Sequence, residues 1–338
     1  MDPKARRRVA LITAANSGVG WHTSLQLYLH GYVVYLAGRS KMRCMKSIKE
    51  LEQEALRIRE EKSNGGGGGS SSSSSSSSRS NGSLGELRFL ELDLASLDSV
   101  LAAAAHIRST ERNLDVLINN AGVMGLPITS THDAFELQLQ TNYVSQFLLT
   151  TKLLPLLERT ADLYPDGDPP RVLYLGSAGH RLAFRYFNLG STFDYHPNAV
   201  FTWFRYAMAK TAGVHFMKML ALRNPRILCL SVQPGFIMNT NYFSYWTRLP
   251  IIGILFWCLF QIFGYFFGVT VEEGANALVV SALDSSLTLA EHSGAIVGVD
   301  GKKVSSSSVA SNMDYAARSW IWTIHQLGKR HIDLSGRP

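Results

Sequence analysis

Short apolar runs recur along the chain, separated by longer stretches in which apolar positions return every three or four residues. Val9 to Ile12, Val33 to Leu36, Leu87 to Leu92, Val116 to Ile118, Val172 to Leu175 and Ile227 to Val232 read as buried strands. Val19 to His30, Phe135 to Leu154 and Ala207 to Arg223 read as helices. Strands alternating with helices predict an α/β protein: a Rossmann-like, doubly wound parallel sheet covered on both faces. A seventh strand is expected near Ala295 to Val299, and residues 1–338 are read as a single domain.

Two stretches break the pattern. Residues 62–85 contain a Gly run followed by a Ser run, with no periodicity and nothing to bury, and predict a disordered surface insert without chemistry. Residues 249–269, from Leu249 to Val269, carry no charge, and Gln261 is their one strongly polar side chain. That length and apolarity reach the threshold for a bilayer-spanning helix. If the late strand joins the same sheet, however, both flanks lie on one side of any membrane. A single crossing is then excluded, which leaves a hairpin broken near Gly264, a segment lying in one leaflet, or a buried helix or dimer interface.

Composition narrows this picture. The 338 residues are 46% apolar and 17% charged, enough for a well-buried core. The net charge of +7 has one tight basic run, Lys4 with Arg6, Arg7 and Arg8, which reads as a solvated tail or a membrane-surface contact; no nucleic-acid partner is expected. Cys44, Cys229 and Cys258 are odd in number and far apart, giving no disulfide framework and no metal spacing. The N-terminus has no cleavable signal, because its basic run leads into only a short apolar stretch.

The candidate chemistry sits where strands end. Thr13-Ala14-Ala15-Asn16-Ser17-Gly18-Val19-Gly20 joins the first strand to a helix, and glycines there let backbone approach a pyrophosphate at the helix N-terminus. The second strand ends in Ala37-Gly38-Arg39. No Asp or Glu stands between Gly20 and Glu50, so a cation for a 2′-phosphate replaces the carboxylate an NAD site wants, and the expected cofactor is NADP. Asp93 ends the third strand, where it can accept from an adenine amino group or cap a helix. Asn119, Asn120, Ala121 and Gly122 end the fourth. Tyr206 and Lys210 are four apart on one helix face, where an ammonium can lower the phenol's pKa.

With Asn142 and Ser177, this set resembles the short-chain dehydrogenase/reductase family over nearly the whole chain apart from the insert. The resemblance implies Tyr206 as catalytic acid/base, Lys210 as its activator and a ribose ligand, and Ser177 as the residue that steadies the carbonyl. Asn142 would hold a water linking Lys210 to solvent. Pro234-Gly235, with Thr240, resembles the turn beside the nicotinamide. The 29 positions from Ser177 to Tyr206 are similar to the retinol-dehydrogenase-like branch, whose substrates are apolar. The strings Phe201 to Met208 and Asn239 to Pro250 resemble a fungal oxidoreductase group of lipid droplets and the vacuole. One departure stands out: Ala14 replaces the family's glycine, and is comfortable there only if its φ is negative. The leading expectation is hydride transfer between NADP(H) and an apolar alcohol or carbonyl, on a lipid droplet or the cytosolic face of an ER or vacuolar membrane. A membrane-associated nucleotide-binding scaffold with weak or no turnover, and a soluble reductase that dimerises through its apolar helix, are the alternatives.

Overall fold

All five residues of the first strand, β1 (Val9–Thr13), are buried, as a strand covered on both faces requires. The structure is a computed structural model and describes residues 6–64, 83–183, 187–190, 197–237 and 268–334, together with positions 253, 254, 257, 258 and 261. From β1 the chain alternates through α1 (Gly18–Leu29), β2 (Val33–Gly38), α2 (Lys41–Asn64), β3 (Glu86–Glu91), α3 (Leu97–Thr110) and β4 (Val116–Asn119). There follow α4 (Leu137–Leu139), a π-helical turn (Gln140–Val144), α5 (Ser145–Leu163), β5 (Arg171–Leu175) and a 3-10 turn (Ala178–Leu182). After α6 (Asn198–Arg223) come β6 (Leu228–Val232), β7 (Phe236–Ile237), β8 (Gly268–Val269), α7 (Val271–Leu283), α8 (Leu289–His292), β9 (Ile296–Val297), α9 (Ser308–Ser311) and α10 (Met313–Gly328).

Seven strands form one parallel sheet in the order β3-β2-β1-β4-β5-β6-β9. The Rossmann-like architecture expected from the alternation is therefore present, late strand included. Register brings Thr13 beside Ala37 and Asn119 beside Tyr174, so the strand ends that carry the candidate residues share one edge. One apolar cluster packs α3, α5, α6 and α10 on one face, with Phe147, Phe216 and Trp320 among its residues. A second packs α1, α2 and α7 on the other face.

Three local features depart from the expected pattern. The helix read from Phe135 to Leu154 is interrupted by the π-helical turn, where the Asn142 carbonyl accepts the Tyr174 hydroxyl, a bond outside the helix ladder. The helix expected from Ala207 to Arg223 starts at Asn198. The insert begins within α2, whose last turn runs to Asn64, and residues 65–82 lie outside the described part.

Residues 249–267 are likewise largely outside it. Of that segment, Ile254 and Trp257 are 72% and 54% exposed. Among the described residues no helix is long and apolar enough to cross a membrane. The two ends of the excursion meet: β7 and β8 pair in parallel, Phe236 with Gly268 and Ile237 with Val269. Because β6 precedes the segment and β9 follows it in one sheet, both flanks belong to the same folded unit.

Candidate active site

Along the shared strand edge lies a cavity of about 520 Å³. Ala14, Ser17, Gly18, Val19 and Arg39 line one end; Ser177, Tyr206 and Lys210 lie further along; Gly122, Val123, Met124, Leu126, Phe236 and Ile237 complete the wall.

The first turn is built for close approach. Gly18 has φ +57, and a Cβ on Gly20 would sit 2.6 Å from the Ala14 carbonyl oxygen and 2.7 Å from Asn120 Nδ2. Only glycine fits there. Asn120 Nδ2 donates to the carbonyls of Thr13 at 2.8 Å and Ala14 at 3.3 Å, and Thr13 Oγ1 accepts from the Ala121 N–H, locking the β1 and β4 ends together. Ser17 precedes α1 without capping it through its side chain, so the first-turn N–H groups are left to face the cavity end. Ala14 adopts φ +53, the left-handed region that its methyl disfavours. The condition for a comfortable alanine is therefore not met, although its N–H still donates to the Ala37 carbonyl at 2.8 Å.

At the other end, Lys210 is fully buried and its Nζ donates to the Leu175 carbonyl at 2.7 Å. Burial pushes the ammonium down to about 7, because the charged form has lost its water. Tyr206, one helical turn earlier, is 8% exposed. Its ring lies against Gly179, where a Cβ would come within 3.1 Å of Tyr206 Cε1. The Gly179 N–H donates to Ser177 Oγ, and His180 Nδ1 donates to the Ser177 carbonyl at 2.6 Å, so the turn after β5 fixes the serine. Burial lowers the His180 pKa.

A buried polar network ties the cavity wall to α6. Gln138 accepts from the Gly125 N–H and donates to Thr202 Oγ1, which in turn donates to the Leu126 carbonyl. Beside it, Arg205 Nε lies 3.7 Å from Glu136 Oε1. Burial raises the Glu136 pKa, partly offset by hydrogen bonds from the Leu139 and Gln138 backbone.

Known proteins resemble this chain over much of its length. The short chain dehydrogenase family pattern matches residues 75–162. An uncharacterised oxidoreductase of Schizosaccharomyces pombe is 34% identical over 70% of this chain and 62% of its own length, so the chain spans less than two thirds of that relative. Mouse retinol dehydrogenase 14 is 33% identical over 81% of this chain and 73% of its own length. The chain belongs to the short-chain dehydrogenase family. Among solved structures, the NADPH-bound carbonyl reductase from chicken fatty liver shares the fold, with a TM-score of 0.55, 20% identity, and coverage of 90% of this chain and 96% of that one.

In this short-chain dehydrogenase the expected residues divide into three groups. Ser17, Gly18, Val19, Arg39, Gly122, Ser177, Tyr206, Lys210, Pro234 and Gly235 line one cavity. Thr13, Gly20, Asn142 and Ala121 stand behind it and shape it: Asn142 Oδ1 accepts from the Val123 N–H and its Nδ2 donates to the Val123 carbonyl. Asn16 also stands off the lining, its carbonyl accepting from Ser47 Oγ. The Asp93 carboxylate accepts from the Ala95 N–H at the approach to α3 and is not part of the cavity wall. The Asn119 side chain is fully buried and donates to Thr150 Oγ1, because strand alternation turns it toward α5. Asn120, one residue past the strand, takes the cavity position. Thr240 lies outside the described residues. The sequence passes over Met124, Leu126 and Ile237, whose apolar side chains carry no motif.

Proposed function

We propose that this protein transfers hydride between NADP(H) and an apolar, lipid-like alcohol or carbonyl, with Tyr206 as the acid/base. The observation that carries the reading is one cavity with a phosphate-type glycine turn and an exposed arginine at one end and a Tyr206–Lys210 pair further along. A dinucleotide fits this end of the site: Gly20 has no room for a Cβ, and the α1 N–H groups are not capped by Ser17. Ser17, Gly18 and Val19 would hold the pyrophosphate, Arg39 the 2′-phosphate, and Lys210 the ribose hydroxyls. When bound, the dinucleotide supplies or accepts the hydride. Support for NADP over NAD comes from Arg39 standing at the cavity mouth and from the NADPH held by the chicken reductase.

In reduction, Tyr206 gives its phenolic proton to the substrate oxygen; in oxidation it takes that proton back. Ser177 orients the same oxygen by hydrogen bonding. Charged Lys210 favours the phenolate and so brings Tyr206 toward its working range. The apolar wall of Val123, Met124, Leu126, Phe236 and Ile237, and the mouse relative named for retinol, favour an apolar substrate. Attachment of Leu249–Val269 to a lipid droplet or to the cytosolic face of an ER or vacuolar membrane belongs to the same reading, since the excursion leaves and returns beside Phe236 and Ile237.

The test is a set of apolar aldehydes, retinal and farnesal among them, assayed with NADPH and with NADH. Turnover is expected with NADPH, and Tyr206→Phe should lower it by about 10²–10⁴. A Tyr206→Phe variant with more than half the wild-type rate would refute the assignment. Left-handed Ala14 favours a second reading, a nucleotide-binding scaffold with little turnover. Tight NADPH binding in calorimetry with no turnover on any aldehyde of the set would select it.

A further inference from the structure

Lys210 is a buried cation whose pKa burial lowers. What it faces is aromatic. Its Nζ lies 5.0 Å from the centroid of the Tyr174 ring on β5 and 5.8 Å from that of Tyr206 on its own helix. Among the described residues, Tyr174 and Tyr206 are titratable side chains facing it, and the Leu175 carbonyl accepts from its Nζ on the β5 side.

Tyr174 is fixed from two sides. It is fully buried, and its hydroxyl donates to the Asn142 carbonyl at 2.9 Å, inside the π-helical turn. On the other side stands Gly213 of α6, where a Cβ would fall 2.0 Å from Tyr174 Cζ. An aromatic side chain of this size fits at position 174 only because position 213 has none. The electron-rich face of a desolvated ring attracts a cation, and more strongly in a dry site than in water. We propose that Tyr174 is a positioning residue that keeps Lys210 charged and in place through its ring, while its hydroxyl anchors that ring to the Asn142 turn.

The inference rests on the reading of Tyr206 and Lys210 as the acid/base pair, and its test separates the two. Reduction needs Lys210 protonated, so kcat/KM for farnesal with NADPH falls along an alkaline limb set by Lys210. Tyr174→Phe keeps the ring and leaves that limb at its wild-type position. Tyr174→Leu removes the ring and moves the limb to lower pH by about one unit, the displacement a desolvated cation–π contact converts to. A ring-fluorinated phenylalanine in place of Tyr174 keeps the shape but drains the ring face, and moves the limb the same way even if Tyr174→Leu fails to fold. In cofactor-free protein, the rise of stability with pH that Lys210 causes begins at correspondingly lower pH in the fluorinated variant than in Tyr174→Phe. A fluorinated variant with both the limb and the stability onset unmoved overturns the proposal. If Tyr206→Phe retains wild-type activity, the acid/base reading fails instead.

Discussion

Replacing Lys210 by Met should stabilise the protein while abolishing its activity. The lysine goes from a reference value of 10.5 to about 7 on folding, driven by burial. Below about pH 7 both the folded and unfolded chains carry the proton, and the native state bears the full cost of a buried charge. Between about 7 and 10.5 the native state releases the proton while the unfolded chain keeps it, so wild-type stability rises with pH across that window. Above it both states are neutral and the dependence ends. A pKa change of this size corresponds to several kcal/mol at full linkage. Relaxation of the site reduces that, and a gain of roughly 2–4 kcal/mol for Lys210→Met at or below neutral pH is expected. Urea unfolding of wild type and Lys210→Met at a series of pH values measures the difference directly. The gain should shrink steadily as pH rises toward the ordinary lysine range. A difference that is flat with pH, or a Met variant less stable than wild type at neutral pH, would refute the argument that Lys210 is held as a desolvated cation.

Other perturbations reach different parts of the account. Ala14→Gly relieves a left-handed alanine but adds freedom to the unfolded chain, so it should raise stability by up to about 1 kcal/mol in urea unfolding; a clear loss would mean that the methyl packs usefully. Arg39→Ala should weaken NADPH by about 1.5–3 kcal/mol in calorimetry and NADH far less, whereas equal losses would make Arg39 structural. Gln138→Leu strips the Gly125 N–H of its acceptor and frees the wall from Thr202, at a cost of roughly 1–3 kcal/mol in stability, with KM for an apolar aldehyde rising more than kcat falls. Replacing Phe256, Phe260 and Phe263 together with Asp should release the protein from membranes in flotation, whereas Arg6 and Arg7, the basic residues near the N-terminus, pair with Asp115 and Glu111 instead of lying free; a triple variant that still floats would refute attachment through Leu249–Val269.

The sheet was legible because buried parallel strands leave continuous apolar runs, and the turn after β1 because Gly18 takes a left-handed φ and Gly20 leaves no room for a Cβ. Tyr206 and Lys210 share a helix face at their spacing, and it was the glycine turn and the Asn-Asn-Ala-Gly strand end before them that singled the pair out. What escaped notice depends on tertiary contact. Asn119 and Asn120 are identical in the sequence, and only the last position of β4 decides which one turns into the core. The π-helical turn at Gln140–Val144 accepts a hydrogen bond from a tyrosine on β5, far away in the chain, and no periodicity reports it. Gly213 looks like a weak point in a helix until Tyr174 is seen to fill the space beside it. The apolar wall from Val123 to Leu126 carries no motif, because a greasy cavity and a greasy core use the same residues.

Hydride transfer itself is tested most directly with NADPH deuterated at the transferable position of its nicotinamide. Incubated with farnesal, the wild-type protein should place one deuterium on the carbinol carbon of the alcohol product, and Tyr206→Phe should form that product at least about a hundred times more slowly. Saturable NADPH binding by the wild-type protein with no deuterium in the alcohol, from farnesal or any other aldehyde of the set, would contradict the account.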